Sequence, residues 1–232
     1  MNLHESLQKT KTAFKANLKP GAILWVLMLL FFAAYAMNES FRSGLERISH
    51  LKTSIGYPFS FAIYVLFAAL LPEILKVFFV QKEKFNRKNL ENFVFVGIVF
   101  GFIGIVTDVF YAYQAHWFGE QNNLRTLILK ASVDQGIYSP IANYLLVSLF
   151  FFRENGLRHE VMRTIFTIQY LSGKILPVVV AGWCIWIPGV MLVYSMPTPL
   201  QLPVAALILC FWVLIFTFVA SHNQPVEAEI PG

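Results

Sequence analysis

Six apolar runs, near residues 20–37, 58–80, 92–117, 127–152, 175–194 and 200–220, constrain this chain more than any other feature. A helix needs about 20 residues to cross roughly 30 Å of hydrocarbon, and each run is close to that length. Helices are expected because in lipid every backbone N–H and C=O has to be bonded within its own segment. The runs are too long and too little alternating for membrane-barrel strands, which read as about 10 residues of in-out alternation. Composition agrees: 57% of the 232 residues are hydrophobic, 23 are Phe and 13% are charged, a balance foreign to a water-soluble domain of this length. The expected fold class is all-α, a polytopic bundle of about six transmembrane helices over 20–220. A basic lead over 1–19 precedes it, and a polar, flexible tail over 221–232 follows.

The lead sets Lys9, Lys11, Lys15 and Lys19 against Glu5 and shows no small-residue cleavage site, so it reads as an anchor on anionic headgroups. Orientation follows from Lys and Arg on alternate sides. Lys9, Lys11, Lys15, Lys19, Lys82, Lys84, Arg87, Lys88, Arg153, Arg158, Arg163 and Lys174 share one side, twelve against the four of Arg42, Arg47, Lys52 and Arg125. Both termini and the connectors at 81–91 and 153–174 are therefore expected to face the cytoplasm, or the matrix of an organelle. The segment from Leu157 to Lys174 has an apolar face of Leu157, Val161, Ile165 and Ile168 and is expected to lie along that interface. The net charge of +5 is a topology signal and gives no reason to expect nucleic acid. The expected partners are the lipid bilayer and small solutes or ions, with a homo-oligomer open. The membrane is a bacterial inner membrane or an organellar one, mitochondrial or peroxisomal.

Five ionisable residues fall within or at the ends of apolar runs: Glu73, Lys76, Asp108, Lys130 and Asp134. An unpaired charge at mid-bilayer costs at least about 2.5–3.5 kcal/mol, so partners are expected. Glu73 and Lys76 are three apart, and Lys130 and Asp134 four apart, spacings that stack side chains on one helix face. Asp108 has no such neighbour in its own run, which leaves Lys130 or Lys76 across the bundle, and Lys130 is expected to be the shared counter-charge of Asp134 and Asp108. Gly97, Gly101 and Gly104 share its face and would let another backbone come close. The polar stripe of the fourth run, with Gln135 on it, is the expected partner of that glycine face. Pro140 lacks an N–H and should release the carbonyl of Gly136 and bend the helix. These residues read either as a polar interior or as helix-to-helix glue.

Three blocks carry a resemblance. Gly104, Ile105, Asp108, Phe110 and Tyr111 look like a G-P-x-x-H-x-W-Y pattern. Lys130, Asp134, Gln135 and Pro140 match a lysine, D-Q, proline pattern. Trp186, Pro188, Pro197 and Trp212 resemble a tryptophan-proline block with a second proline and a late tryptophan. In order and approximate spacing the last two thirds of the chain resembles the Mpv-seventeen and 22-kilodalton peroxisomal membrane protein family. Ile105 stands for a proline, Asp108 for a histidine and Gln201 for an arginine, and Ile187 splits the tryptophan-proline dipeptide. The resemblance implies an organellar membrane, four spans, and roles in channel-like permeation of small solutes and in organelle homeostasis.

The expected function is a channel-like or permeation protein for small solutes or ions. The alternatives are an ion-coupled transporter and a non-transporting assembly protein. An intramembrane aspartyl enzyme using Asp108 and Asp134 is the reading from a different class, but no Y-D or G-x-G-D element accompanies the two acids, and no enzyme is expected. His4, His50, His116, His159 and His222 lack metal-ligand spacing, so neither metal nor cofactor is called for. Cys184 and Cys210 read as small buried residues.

Overall fold

A computed structural model of the chain describes residues 3–79 and 84–222. Its side chains are described from Gly21 to Val213 apart from Phe79, and before that at Gln8, Lys11, Thr12, Lys15 and Leu18. The tail beyond His222, Lys82 and the side chains of Glu5, Lys9 and Lys19 lie outside the described residues. Among the described residues every regular element is helical.

α1, Leu3–Met37, carries the basic lead and the first apolar run as one helix. It ends where Asn38 caps α2, Glu39–Ile55, by accepting from the Phe41 N–H, and the chain turns through 99°. Arg42 then donates back to the carbonyls of Tyr35 and Ala36 at 3.2 and 2.8 Å. It thereby satisfies two orphan acceptors and places a cation at the negative end of α1. At Gly56, φ is +74°, a conformation that only glycine adopts cheaply, and this corner leads into α3, Tyr57–Phe78. α4, Arg87–Phe118, α5, Leu124–Asn155, and α7, Ile168–Ser195, follow, with the short α6, His159–Ile165, between the last two. The expected interfacial helix from Leu157 to Lys174 is thus divided: α6 stops at Ile165, and Thr167 caps the start of α7 through the Tyr170 N–H.

The last helix, α8, Thr198–His222, is apolar on every side. A helix without a polar face is stable only when covered all round. From Leu200 to Cys210 it is buried apart from the half-buried Leu207, and it packs against α1, α2, α3, α4 and α7. α8 is therefore the centre of the bundle, and its run of apolar residues serves the core. The structure supports α3, α4, α5 and α7 as long and apolar enough to cross a membrane, up to five if the bent pair of Gly21–Met37 and α2 counts as one. It does not by itself give the six that run length suggests. The outer faces are apolar as well: Leu29 is 69%, Phe102 59% and Ile141 56% exposed.

The glycine face of α4 packs against α3, its neighbour in sequence, and not against α5 as expected. A methyl group at Gly101 would overlap the Phe61 ring, and one at Gly104 would sit 2.5 Å from the carbonyl oxygen of Ser60. Periodicity tells which face is small, while the short link between α3 and α4 decides what it meets. Pro140 also acts differently from expectation. α5 contains a π-helical turn over Asp134–Tyr138, in which the Ser139 N–H bonds the carbonyl of Asp134 five residues back. In that register the missing N–H of Pro140 leaves the carbonyl of Gln135, not of Gly136, without its intrahelical donor. The indole N–H of Trp183 on α7 donates to it at 2.9 Å. π-helical turns over Val65–Leu70 in α3 and Leu171–Ile175 in α7 are likewise followed, two residues on, by Pro72 and Pro177.

Candidate functional site: three buried charge clusters

The expected interior residues do not share one site. They fall into three clusters, two of them in the half of the bundle toward the 119–123 connector.

Asp108 is buried on α4 just beyond the glycine face. Ser60 donates its hydroxyl to one carboxylate oxygen at 2.6 Å, and the Lys52 ammonium lies 2.7 Å from the other. Neither Lys130 nor Lys76 is the partner. The sequence placed Lys52 in an outer connector, but α2 folds back against α3 and α8, and a lysine in its last turn can reach the acid. The side chain of Lys52 remains 19% exposed, so this pair closes off the buried acid from the α2 side.

Asp134 is 4% exposed and has no ion pair among the described residues. Its oxygens accept from the Tyr194 hydroxyl at 2.5 Å and from the Gln135 side-chain amide at 2.8 Å. Gln114 on α4 donates to the Tyr194 oxygen at 3.4 Å and to the backbone carbonyl of Lys130 at 3.0 Å. The side-chain oxygens of Gln114 and Gln135 are both buried without a donor. Tyr111 stands edge-on to Tyr194, ring centroids 5.3 Å apart. One turn of α4 away, Thr107 donates to the Ile103 carbonyl, so its 2.7 Å contact with Tyr138 is donated by the tyrosine. Phe110 stacks on Tyr138 at 4.2 Å. These contacts join α4 to the π-helical turn of α5.

Lys130 is only 1% exposed, yet it is not the shared counter-charge of Asp108 and Asp134. Its ammonium lies 5.6 Å from the centre of the Tyr194 ring, and it makes no salt bridge among the described residues. Glu120 accepts from Thr198, and Asn122 donates to the carbonyl of Ser195. The connectors 119–123 and 195–198 therefore meet at one end of the bundle.

Glu73 anchors the third cluster, at the opposite end of α4. Asn89 and Asn92 donate to its two oxygens at 2.5 and 2.7 Å, and Lys76 stands 3.4 Å away. Arg153 on α5 donates to Asn92 at 3.0 Å and lies over the Phe95 ring. Glu73 thus links α3, α4 and α5, which is helix glue. A cleft of about 570 Å³ opens beside it, lined by Leu70, Ile74, Val77, Phe78, Phe85 and Leu90 together with Glu73, Asn89 and Phe93.

Of the resemblance blocks, Tyr111, Lys130, Asp134 and Gln135 gather in the second cluster, and Trp186 packs beside Gly189 and the core. Pro188 lies inside α7, and Pro197 joins α7 to α8, where Trp212 lies. Sequence reasoning missed Lys52, Ser60, Gln114, Trp183 and Tyr194. Gln114 alone carried a visible signal, an amide six residues beyond Asp108 in the same run. No family model, curated protein or solved structure matches the chain.

Proposed function

We propose that the chain is an integral membrane protein that moves small polar solutes or ions by a gated, carrier-like cycle, and that it is a divergent relative of the Mpv-seventeen family. Four helices long enough to cross a membrane and an apolar exterior support the membrane reading. The meeting of Tyr111 of α4 with Lys130 and Asp134 of α5 at Tyr194 supports the kinship, because two blocks of the pattern that are apart in the chain share a neighbour.

One observation carries the gated reading over a standing pore. Asp108 and Asp134 are each covered by a side chain from a different helix, Lys52 of α2 and Tyr194 of α7. α3, α5 and α7 also each carry a π-helical turn followed by proline, where helices bend. Buried acids on interrupted helices are the usual material of a site exposed alternately to two sides. Purified protein in liposomes, loaded with small polar solutes under imposed pH and voltage gradients, tests this. Saturable flux with counterflow is expected. Flux that rises linearly with concentration would mean a pore, and no flux with any solute would leave an assembly role.

A further inference from the structure

We infer that the cleft between α3 and α4 holds an acyl chain of an anionic phospholipid, with the headgroup at the basic connector that begins beside Phe85. The inference rests on the membrane reading of the chain and is independent of transport.

The two helices are drawn together by small residues and held apart by large ones. Gly97, Gly101 and Gly104 of α4 lie against Ala69, Phe61 and Ser60 of α3. Continued toward the connector, the same spacing of four and three brings Phe93 and Leu90 onto that face of α4 in place of glycine. Close approach ends there, and the cleft of about 570 Å³ lies between the two helices, with Phe85 as a further wall. That volume falls within the roughly 300–1,000 Å³ of small-molecule sites.

The walls decide what fills it. Apart from Glu73 and Asn89 the lining is hydrocarbon, a surface that water leaves dry. Those two polar groups are spent on protein. Asn89 donates to Glu73 at 2.5 Å and accepts from the Asn86 N–H at 2.9 Å, while Asn92 donates to the other carboxylate oxygen at 2.7 Å. A polar solute would find no group left to orient it, whereas a hydrocarbon chain needs none. Ile74, Phe78, Phe85 and Leu90 are exposed, so the cleft is open on the apolar exterior of the bundle, where lipid tails are at hand.

Charge then selects the lipid. The acid of the cleft is balanced by Lys76, 3.4 Å from Glu73, and Arg87 is matched by Glu91 at 2.8 Å. Lys84, next to Phe85, and Lys88 are exposed and make no salt bridge among the described residues. The surplus beside the cleft is positive, and basic residues at a groove between membrane helices complement an anionic headgroup.

The full chain in a mild detergent is melted with increasing phosphatidylglycerol or with phosphatidylcholine of the same acyl chains. Phosphatidylglycerol should raise the melting temperature at the lower concentration. Lys84→Gln, an exposed change that leaves the cleft intact, should raise the phosphatidylglycerol concentration for half effect about fivefold and leave the phosphatidylcholine curve in place. Leu90→Trp, which fills part of the cleft, should remove the response, and Ile141→Trp, on the exposed surface of α5, should keep it. Phosphatidylglycerol with a photoreactive acyl chain tests the place without any variant: labelling should concentrate between residues 70 and 93 and be competed away by unlabelled phosphatidylglycerol. Equal potency of the two lipids, unchanged in Lys84→Gln, overturns the anionic lipid. Labelling spread evenly over α3, α4, α5 and α7, or a response that survives Leu90→Trp, overturns the cleft as its place. A chain recovered in the soluble fraction without detergent would overturn the membrane reading itself, and the site with it, before any lipid is added.

Discussion

Gly104→Ala adds one methyl group at the closest approach of two helices. That methyl would lie 2.5 Å from the Ser60 carbonyl oxygen, where ordinary contact begins at 3.4 Å, so α3 and α4 must separate by about 0.9 Å. Backbone cannot swing aside as a side chain can, and forced repacking of this kind costs about 1–3 kcal/mol. The same displacement stretches the 2.6 Å bond from Ser60 to Asp108, and a hydrogen bond to a charged group contributes about 1.5–3 kcal/mol. Alanine returns about 1 kcal/mol through helix propensity. The net loss is about 2–4 kcal/mol, which for a chain of this size lowers the melting temperature by roughly 5–15 °C. Gly44→Ala is the control, since a methyl there meets nothing within 4 Å and φ is ordinary; it should melt at or slightly above the parent. Gly119 would not serve, because its φ of +81° strains any side chain. Thermal unfolding of the three proteins in one detergent decides the matter: Gly104→Ala melting together with Gly44→Ala would refute the tight α3–α4 contact.

Lys52→Met should destabilise the protein by about 2–3 kcal/mol, less than the loss of a fully buried partner because Lys52 is partly exposed, and Asp108→Asn should recover part of it. In a double-mutant cycle on thermal stability, Lys130→Met and Asp134→Asn should add within about 0.5 kcal/mol, and coupling as large as that of Lys52 with Asp108 would return Lys130 to the interior. Trp183→Phe should cost about 1–3 kcal/mol by stripping the Gln135 carbonyl of its donor, and Pro140→Ala in the same chain should restore much of it by supplying an N–H. Single cysteines at 121–123 and 196–198 should be labelled from the same side of the membrane and those at 156–158 from the other; labelling of 121–123 and 196–198 from opposite sides would undo the meeting of the two connectors.

What the sequence made legible was local. The spacing of Gly97, Gly101, Gly104 and Asp108 marks one face of one helix, and that face is buried. It holds no information on which helix covers it, because α3 and α5 both offer apolar surface with scattered small and polar residues. Lys52 was hidden for a related reason: positive charges outside apolar runs count toward topology, and a count says nothing of a lysine turned inward by a corner at Gly56. The Lys130–Asp134 spacing suggested a pair in a regular α-helix, but α5 changes register at Asp134, and Tyr194, 60 residues further on, takes the acid. Lys130, Asp134 and Gln135 are nevertheless buried, as polar residues inside an apolar run with partners to find would be. Run length says least at α8, where an apolar stretch reads the same whether lipid or protein surrounds it.

The place of α8 also fixes an order of assembly. Synthesis proceeds from the N-terminus, so the helices that enclose Thr198–Cys210 leave the ribosome before the segment they enclose. The contacts open to them at that stage are pairwise: Gly21 of α1 against Ile185 of α7, and the glycine face of α4 against α3. Leu24, Met28, Tyr64, Ala68 and Tyr194, which end in the same core as Leu200, Leu202 and Ala206, must meanwhile rest on lipid or on one another. A chain stopped just after Ser195 would keep α1 to α7 and the residues of all three charge clusters, and would lack the segment that fills the space between them.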